Sequence, residues 1–160
     1  PSTHDSKLTA DEQYTHITLW SILGSPLLIG CDMAELDDFT LNLLCNSEVI
    51  DVNQDELGWQ ASRIYGDDTY ATYLKPLADG TVAVAMFNLS SEPKKIGFIP
   101  RSLGVIGSQV IRDLWRQKDI YTCGYRERWE TEVAPHGCVF VKLTPVQKNF
   151  VPEGFDKNIK

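Results

Sequence analysis

The chain has 160 residues and a mass of 18.0 kDa, enough for one ordinary domain or for a small domain joined to part of another. Apolar residues make up 42% and charged residues 23%, a globular balance rather than a disordered one. Fifteen basic residues against 22 acidic ones give a net charge of -7, and no basic stripe interrupts it. That charge excludes a nucleic-acid-binding or anionic-membrane surface, both of which are built from clustered Lys and Arg. No apolar run approaches the length of a bilayer span. The chain opens at Pro1 without a Met and without a signal-peptide pattern, so the expectation is a removed leader or a start inside a longer gene product.

Cys31, Cys45, Cys123 and Cys138 stand far apart with no CxxC pair, and His4, His16 and His136 do not complete a zinc spacing. They read as isolated thiols, with a Cys123 to Cys138 disulfide left open in case their strands are neighbours. Thr9-Ala10-Asp11-Glu12 is a capping box, and it predicts a helix over residues 10–23 with Tyr14, Ile17, Trp20 and Leu23 on one face. Gly24-Ser25-Pro26 stops that helix. The apolar run Leu27-Leu28-Ile29-Gly30-Cys31, closed by Asp32, reads as a strand buried on both faces of a parallel sheet. Such a strand needs partners, and only one run of this kind is read in the 160 residues. Asp37 or Asp38 then caps a second helix through Cys45, which Asn46 ends, with Ser47-Glu48-Val49-Ile50 adding a further turn or two.

From about Arg63 the apolar period changes from 3.6 to 2. Residues 70–75 and 81–87 read as strands joined at the hairpin signal Asp79-Gly80. Residues 95–99, 109–115, 126–133 and 138–143 read as further strands, so the second half is an antiparallel sandwich. The residues from 145 onward are a polar loose end. The fold class is therefore an α/β remnant followed by an all-β antiparallel sandwich, with boundaries at 1–60, 61–148 and 149–160.

Five segments in this order carry a family resemblance: LTADEQ and THITLW within residues 8–20, SPLLIGCD (25–32), NSEVIDVNQDELG (46–58), KPLADGTVAVAMFN (75–88) and APHGCVFVKL (134–143). Together they make the chain resemble the C-terminal part of glycoside hydrolase family 27, which includes α-galactosidases and α-N-acetylgalactosaminidases. The resemblance implies a (β/α)8 barrel followed by an antiparallel sandwich. Residues 27–31 would be the last barrel strand, and the flanking helices the last two of the barrel. It further implies a retaining hydrolysis of terminal α-linked galactose-type sugars by two carboxylates about 5 Å apart. Both belong to earlier barrel strands, so no catalytic residue is expected in this chain.

Within the chain, Asp32 stands at the end of the expected barrel strand, where barrel enzymes build their sites. Cys31 and Asp32 are the candidate substrate-binding residues, acting behind the groups that touch the sugar; the competing reading makes Asp32 a helix-entry carboxylate and Cys31 a core thiol. His16 and Trp20, four apart, read as packing. Asn53-Gln54-Asp55 reads as a junction whose side chains cap backbone groups. The acid pairs Asp51/Asp55 and Asp67/Asp68 read as loop residues rather than a catalytic pair. Trp115 and Trp129, with Tyr121 and Tyr125, are either a sugar-stacking platform or sandwich core.

No cofactor and no metal are called for. The expected partner is an α-galactoside-type oligosaccharide, with neither nucleic acid nor membrane, and the apolar surface of the barrel remnant offers an interface between copies. The expected location is secreted or periplasmic. The alternative function, from another class, is a non-catalytic β-sandwich that binds carbohydrate or another protein.

Overall fold

The structure, a computed structural model, describes residues 6–146. Three helices come first, α1 (Ala10–Ile22), α2 (Asp38–Leu44) and α3 (Ser47–Asn53), with a 3-10 turn at Met33–Glu35. Eight strands follow: β1 (Ser62–Gly66), β2 (Tyr70–Pro76), β3 (Val82–Asn88), β4 (Lys94–Phe98), β5 (Gln109–Asp113), β6 (Lys118–Cys123), β7 (Trp129–Val133) and β8 (Cys138–Pro145). Six of them form one antiparallel sheet in the order β1-β2-β3-β8-β5-β6, and β4 pairs with β7 in a two-stranded sheet. The fold class read from the sequence, an α/β remnant followed by an all-β antiparallel sandwich, is seen in its helices and its sandwich, without the strand expected in the remnant. No helix among the described residues is long and apolar enough to cross a membrane.

The six-stranded sheet is the middle of three layers. Alternate residues of β3 face opposite sides: Val84 and Met86 join a core with Ile96, Phe98, Val133 and Val141, under the β4-β7 sheet. Ala83, Ala85 and Phe87 join a second core with Ile22, Val49 and Val52, under α1 and α3. The two-residue period of a strand makes this division automatic. Small residues on the helix side let α1 and α3 lie close to the sheet. Gly97 serves the other side: a Cβ there would stand 2.2 Å from the Trp129 carbonyl oxygen, so β4 can approach β7 only with glycine.

The helix ends follow their sequence signals. Thr9 Oγ1 accepts from the Glu12 amide at 3.3 Å, and Glu12 Oε2 accepts from the Thr9 amide at 2.8 Å, the reciprocal pair of a capping box. Asp37, not Asp38, caps α2 through its bond from the Thr40 amide at 2.7 Å. Asn46 does more than end α2. Its Oδ1 accepts from the Val49 amide and so opens a third helix, while its Nδ2 donates to the carbonyls of Leu114 and Trp115. Beside it, Glu48 receives both Nε and Nη2 of Arg112 at 2.9 and 2.7 Å, a bidentate pair between α3 and β5.

Three expectations are corrected. Residues 27–31, expected as a buried strand, form none; Leu28 is 89% exposed and Ile29 47%. An extended run is held by a ladder of backbone bonds, and none of the strands among the described residues lies beside this one. On α1 the residues turned to the sheet are Thr18, Ser21 and Ile22, while Trp20 faces outward, 42% exposed. The sequence reading also passed over β1 and β6, which flank the sheet and show mostly exposed side chains, so little apolar alternation marked them. Of the tail from residue 145, positions 147–160 lie outside the described residues, as does His4.

Asn46→Ala is expected to lower stability by about 2–4 kcal/mol, because three backbone groups lose their partner where water reaches them poorly. Arg128→Ala, which removes an exposed pair with Glu130, is expected to cost less than about 0.5 kcal/mol. Urea unfolding of the two variants side by side measures the difference.

Candidate functional site

Asp32 and Cys31 stand where the chain leaves α1 and approaches α2. Asp32 Oδ1 accepts from the Ala34 amide at 2.9 Å and caps the 3-10 turn Met33–Glu35. Cys31 is exposed and carries a free thiol. The structure therefore puts Asp32 in the geometry of a helix-entry carboxylate, and gives Cys31 no place in either core.

Around these residues the helices present a second apolar face, turned away from the sheet. Ile17 and Trp20 of α1, Leu28 and Ile29 of the irregular segment, Leu43 of α2 and Ile50 of α3 border an apolar groove of about 310 Å³. His16 lies on its wall, with its ring edge-on to Trp20 at 5.7 Å between centroids, a packing contact as its spacing implied. Met33, 69% exposed, stands further along the same segment. Helices apolar on two sides are helices meant to be covered on two sides.

The junction to the sheet is polar. Asn53 Nδ2 donates to the carbonyls of Trp20 and Ser25, at 3.3 and 2.8 Å, and fixes the end of α1 against α3. Asp55 receives the Ala78 amide on both oxygens, 3.2 and 3.0 Å, and ties the end of α3 to the β2-β3 turn. These are the backbone-capping roles read from Asn53-Gln54-Asp55. Lys75 of β2 is fully buried on the same side and donates its Nζ to the Val52 carbonyl at 2.5 Å, near the C-terminus of α3. Burial pushes its pKa down, and the charge of Asp55 counters part of that.

One member of each acid pair, Asp55 and Asp67, is bonded to backbone amides. Asp67 accepts from the amides of Thr69 and Tyr70 and from the Thr69 hydroxyl, and the Thr69 bonds hold its carboxyl below the usual carboxylate range. A group so depressed and so engaged is a loop clasp, not a proton donor near neutral pH. Among the described residues no group of three or more His, Cys, Asp or Glu is arranged to hold a metal ion.

The aromatic residues divide. Tyr121 donates its hydroxyl to Glu127, away from the other candidates, and Tyr125 lies exposed in the following turn. Trp115 and Trp129 both border a cleft of about 380 Å³ beside α1, Trp115 packed against the helix-side core and Trp129 against the core under the β4-β7 sheet. Asp11, Tyr14 and Asp113 share that border and were not singled out from the sequence. The available signal was weak: Asp11 and Tyr14 are one helical turn apart, but each already had a local explanation in the cap or the apolar stripe. Cys123 and Cys138 are not bridged; β5 lies between their strands, and they belong to opposite cores.

Two family models match the chain. One, described as alpha galactosidase A, covers residues 4–55, and the other, the alpha galactosidase C-terminal beta sandwich domain, covers residues 67–143. Alpha-galactosidase 2 of Arabidopsis thaliana is 34% identical over 139 residues, which is 86% of this chain and 35% of the relative. The alpha-galactosidase of Oryza sativa subsp. japonica is 36% identical over 136 residues, 84% of this chain and 32% of the relative. Among solved structures, a GH27 β-L-arabinopyranosidase from Geobacillus stearothermophilus superposes with a TM-score of 0.83 at 33% identity, covering 89% of this chain and 32% of that one. Alpha-galactosidase I from Mortierella vinacea superposes with a TM-score of 0.79 at 27% identity, covering 86% and 36%. The chain spans about a third of the length of the curated relatives it matches.

The thiols supply a test of the geometry. Cys31 and Cys45 are exposed, Cys123 is buried, and burial pushes the Cys138 thiol up to about 11. A higher thiol pKa leaves less reactive thiolate at a given pH. Iodoacetamide at mildly alkaline pH should therefore label Cys31 and Cys45 quickly, the partly buried Cys138 slowly and Cys123 only after unfolding, as peptide mass spectrometry would record.

Proposed function

Because the chain belongs to the α-galactosidase-like glycoside hydrolases of family 27, corresponding to their C-terminal portion, we propose that the longer protein it represents in part hydrolyses terminal α-linked galactose-type sugars with retention. The observation that carries this is the pair of consecutive family matches, first the end of the enzyme domain and then its C-terminal sandwich, over a chain that folds as helices on an antiparallel sheet. Retention needs a nucleophile and an acid/base about 5 Å apart. No residue of this chain is assigned to either role.

Residues 1–60 are then the closing segment of the barrel, 61–148 the sandwich and 149–160 a polar tail. In the longer protein residues 27–31 become a strand when the preceding barrel strands pair with them, and the groove beside Trp20 and Leu28 is filled by the rest of the barrel. Cys31 and Asp32 then stand at the strand's C-terminal end, behind the residues that touch the sugar. The sandwich braces the barrel through α1 and α3, which share a core with the sheet. In the isolated chain the same groove is the surface through which copies associate. Secretion or export to a periplasm is the location in which such a hydrolase meets its oligosaccharide.

The 160-residue chain and the full-length gene product are to be assayed together on nitrophenyl α-galactoside, α-N-acetylgalactosaminide and β-L-arabinopyranoside. Release by the longer protein alone is expected, and the preferred glycoside names the sugar. Turnover by the short chain would overturn the assignment of catalysis to residues outside it.

A further inference from the structure

The cleft beside α1 is built like a sugar site rather than like leftover space. Trp115 is immobilised on two sides: its Nε1 donates to Thr18 Oγ1 at 2.8 Å, and the Tyr14 ring meets it edge-on at 4.8 Å. Trp129, from β7, rests against Phe98 with centroids 5.2 Å apart. Both indoles stay only half-buried, so part of each apolar surface borders the cleft. Fixed aromatic surfaces left open to water are costly unless something covers them, and they lose little freedom when it does.

The charged and hydroxyl side chains on the border are Asp11, Asp113, Arg116, Thr131 and, on the outer face of β7, Glu132. Asp113 accepts from the Arg116 amide at 3.0 Å, and its other oxygen lies 3.7 Å from the Arg116 guanidinium, which orients the carboxylate. Burial chiefly pushes up the thiol of Cys138 on the cleft wall, and the charges of Asp11 and Asp113 add to it. Three carboxylates against one guanidinium disfavour any anion. These acids form no group suited to a metal ion either. What remains is a neutral ligand with apolar C–H faces for the indoles and several hydroxyls for the carboxylates. The volume, about 380 Å³, lies at the lower end of ligand pockets, ~300–1,000 Å³, and suits one ring rather than a long chain.

We propose that this cleft binds a single neutral pyranose unit, with Trp115 and Trp129 as its apolar borders and Asp11 and Asp113 as acceptors for its hydroxyls. The site goes beyond the hydrolase reading and does not rest on it, because every group involved belongs to this chain and binding is read without turnover.

The test titrates the 160-residue chain with methyl α-galactopyranoside and, separately, with galacturonate, following the four indole N–H signals by NMR. Saturable movement of the Trp115 and Trp129 signals is expected, with a dissociation constant of roughly 1–50 mM, while Trp20 and Trp59 stay still. Galacturonate should bind at least about tenfold more weakly. Asp113→Asn, which keeps the side-chain shape, should weaken the galactoside about tenfold and narrow the gap to galacturonate. Asp11→Asn, in the exposed first turn of α1, gives the same reading should the first variant not fold. No saturable movement up to roughly 100 mM, movement confined to Trp20 or Trp59, equal binding of galacturonate, or folded variants that bind as the wild type does would each overturn the proposal.

Discussion

The strand β3 has to satisfy two interiors at once, and the rest of the molecule is arranged by that demand. Its apolar sequence Val82-Ala83-Val84-Ala85-Met86-Phe87 sends one set of side chains under the β4-β7 sheet and the other under the helices. The partner β8 divides likewise, with Val141 and Leu143 on the first side and Phe140 on the second. A polar side chain in either set has no water to turn to and must find a partner inside. Lys75, paired with Ala83 on the neighbouring strand, is one buried polar side chain that does so. It faces the helix layer and meets the end of α3, where carbonyls lack helical partners and the helix dipole favours a cation.

The same constraint explains why the helices adhere to the sheet although α2 and α3 are only seven residues each. Helices that short are not stable by propensity, so their order comes from packing and from bonds to the sheet. Ile22, Val49 and Val52 supply the packing, and Asn46, Glu48 and Asp55 supply the bonds. This leaves the opposite faces of α1 and α2 apolar and open. That open face borders an apolar groove, and the chain matches about a third of its relatives' length.

The carboxylates illustrate how pairing in sequence differs from pairing in space. Asp67 and Asp79 sit in turns and are held by Thr69 and Thr81, so the fold uses them as clasps. Asp11 and Asp113, about a hundred positions apart in the chain, border one cleft because α1 lies across the sheet beside the β5-β6 turn. Proximity of that kind depends on how layers stack, and no local pattern encodes it.

Local chemistry was legible from the residues alone wherever a signal acts over a few positions. The capping box at Thr9, the turn at Asp79-Gly80, the strands through residues 70–75, 81–87 and 138–143, and the capping roles of Asn53 and Asp55 all appear as read, and the five family segments identified the chain's relatives. What tertiary structure decided was which apolar surfaces are covered. The rule that an unbroken apolar run is a strand buried on both faces holds for β3 and not for residues 27–31, because burial requires a partner layer and the composition of the run says nothing about whether one is there. Likewise Trp20 and Trp115 carry the same side chain on or beside the same helix layer, yet one is left outward and the other is locked to Thr18 at the cleft. Side-chain type sets what a surface needs; the packing of layers decides which surface receives it.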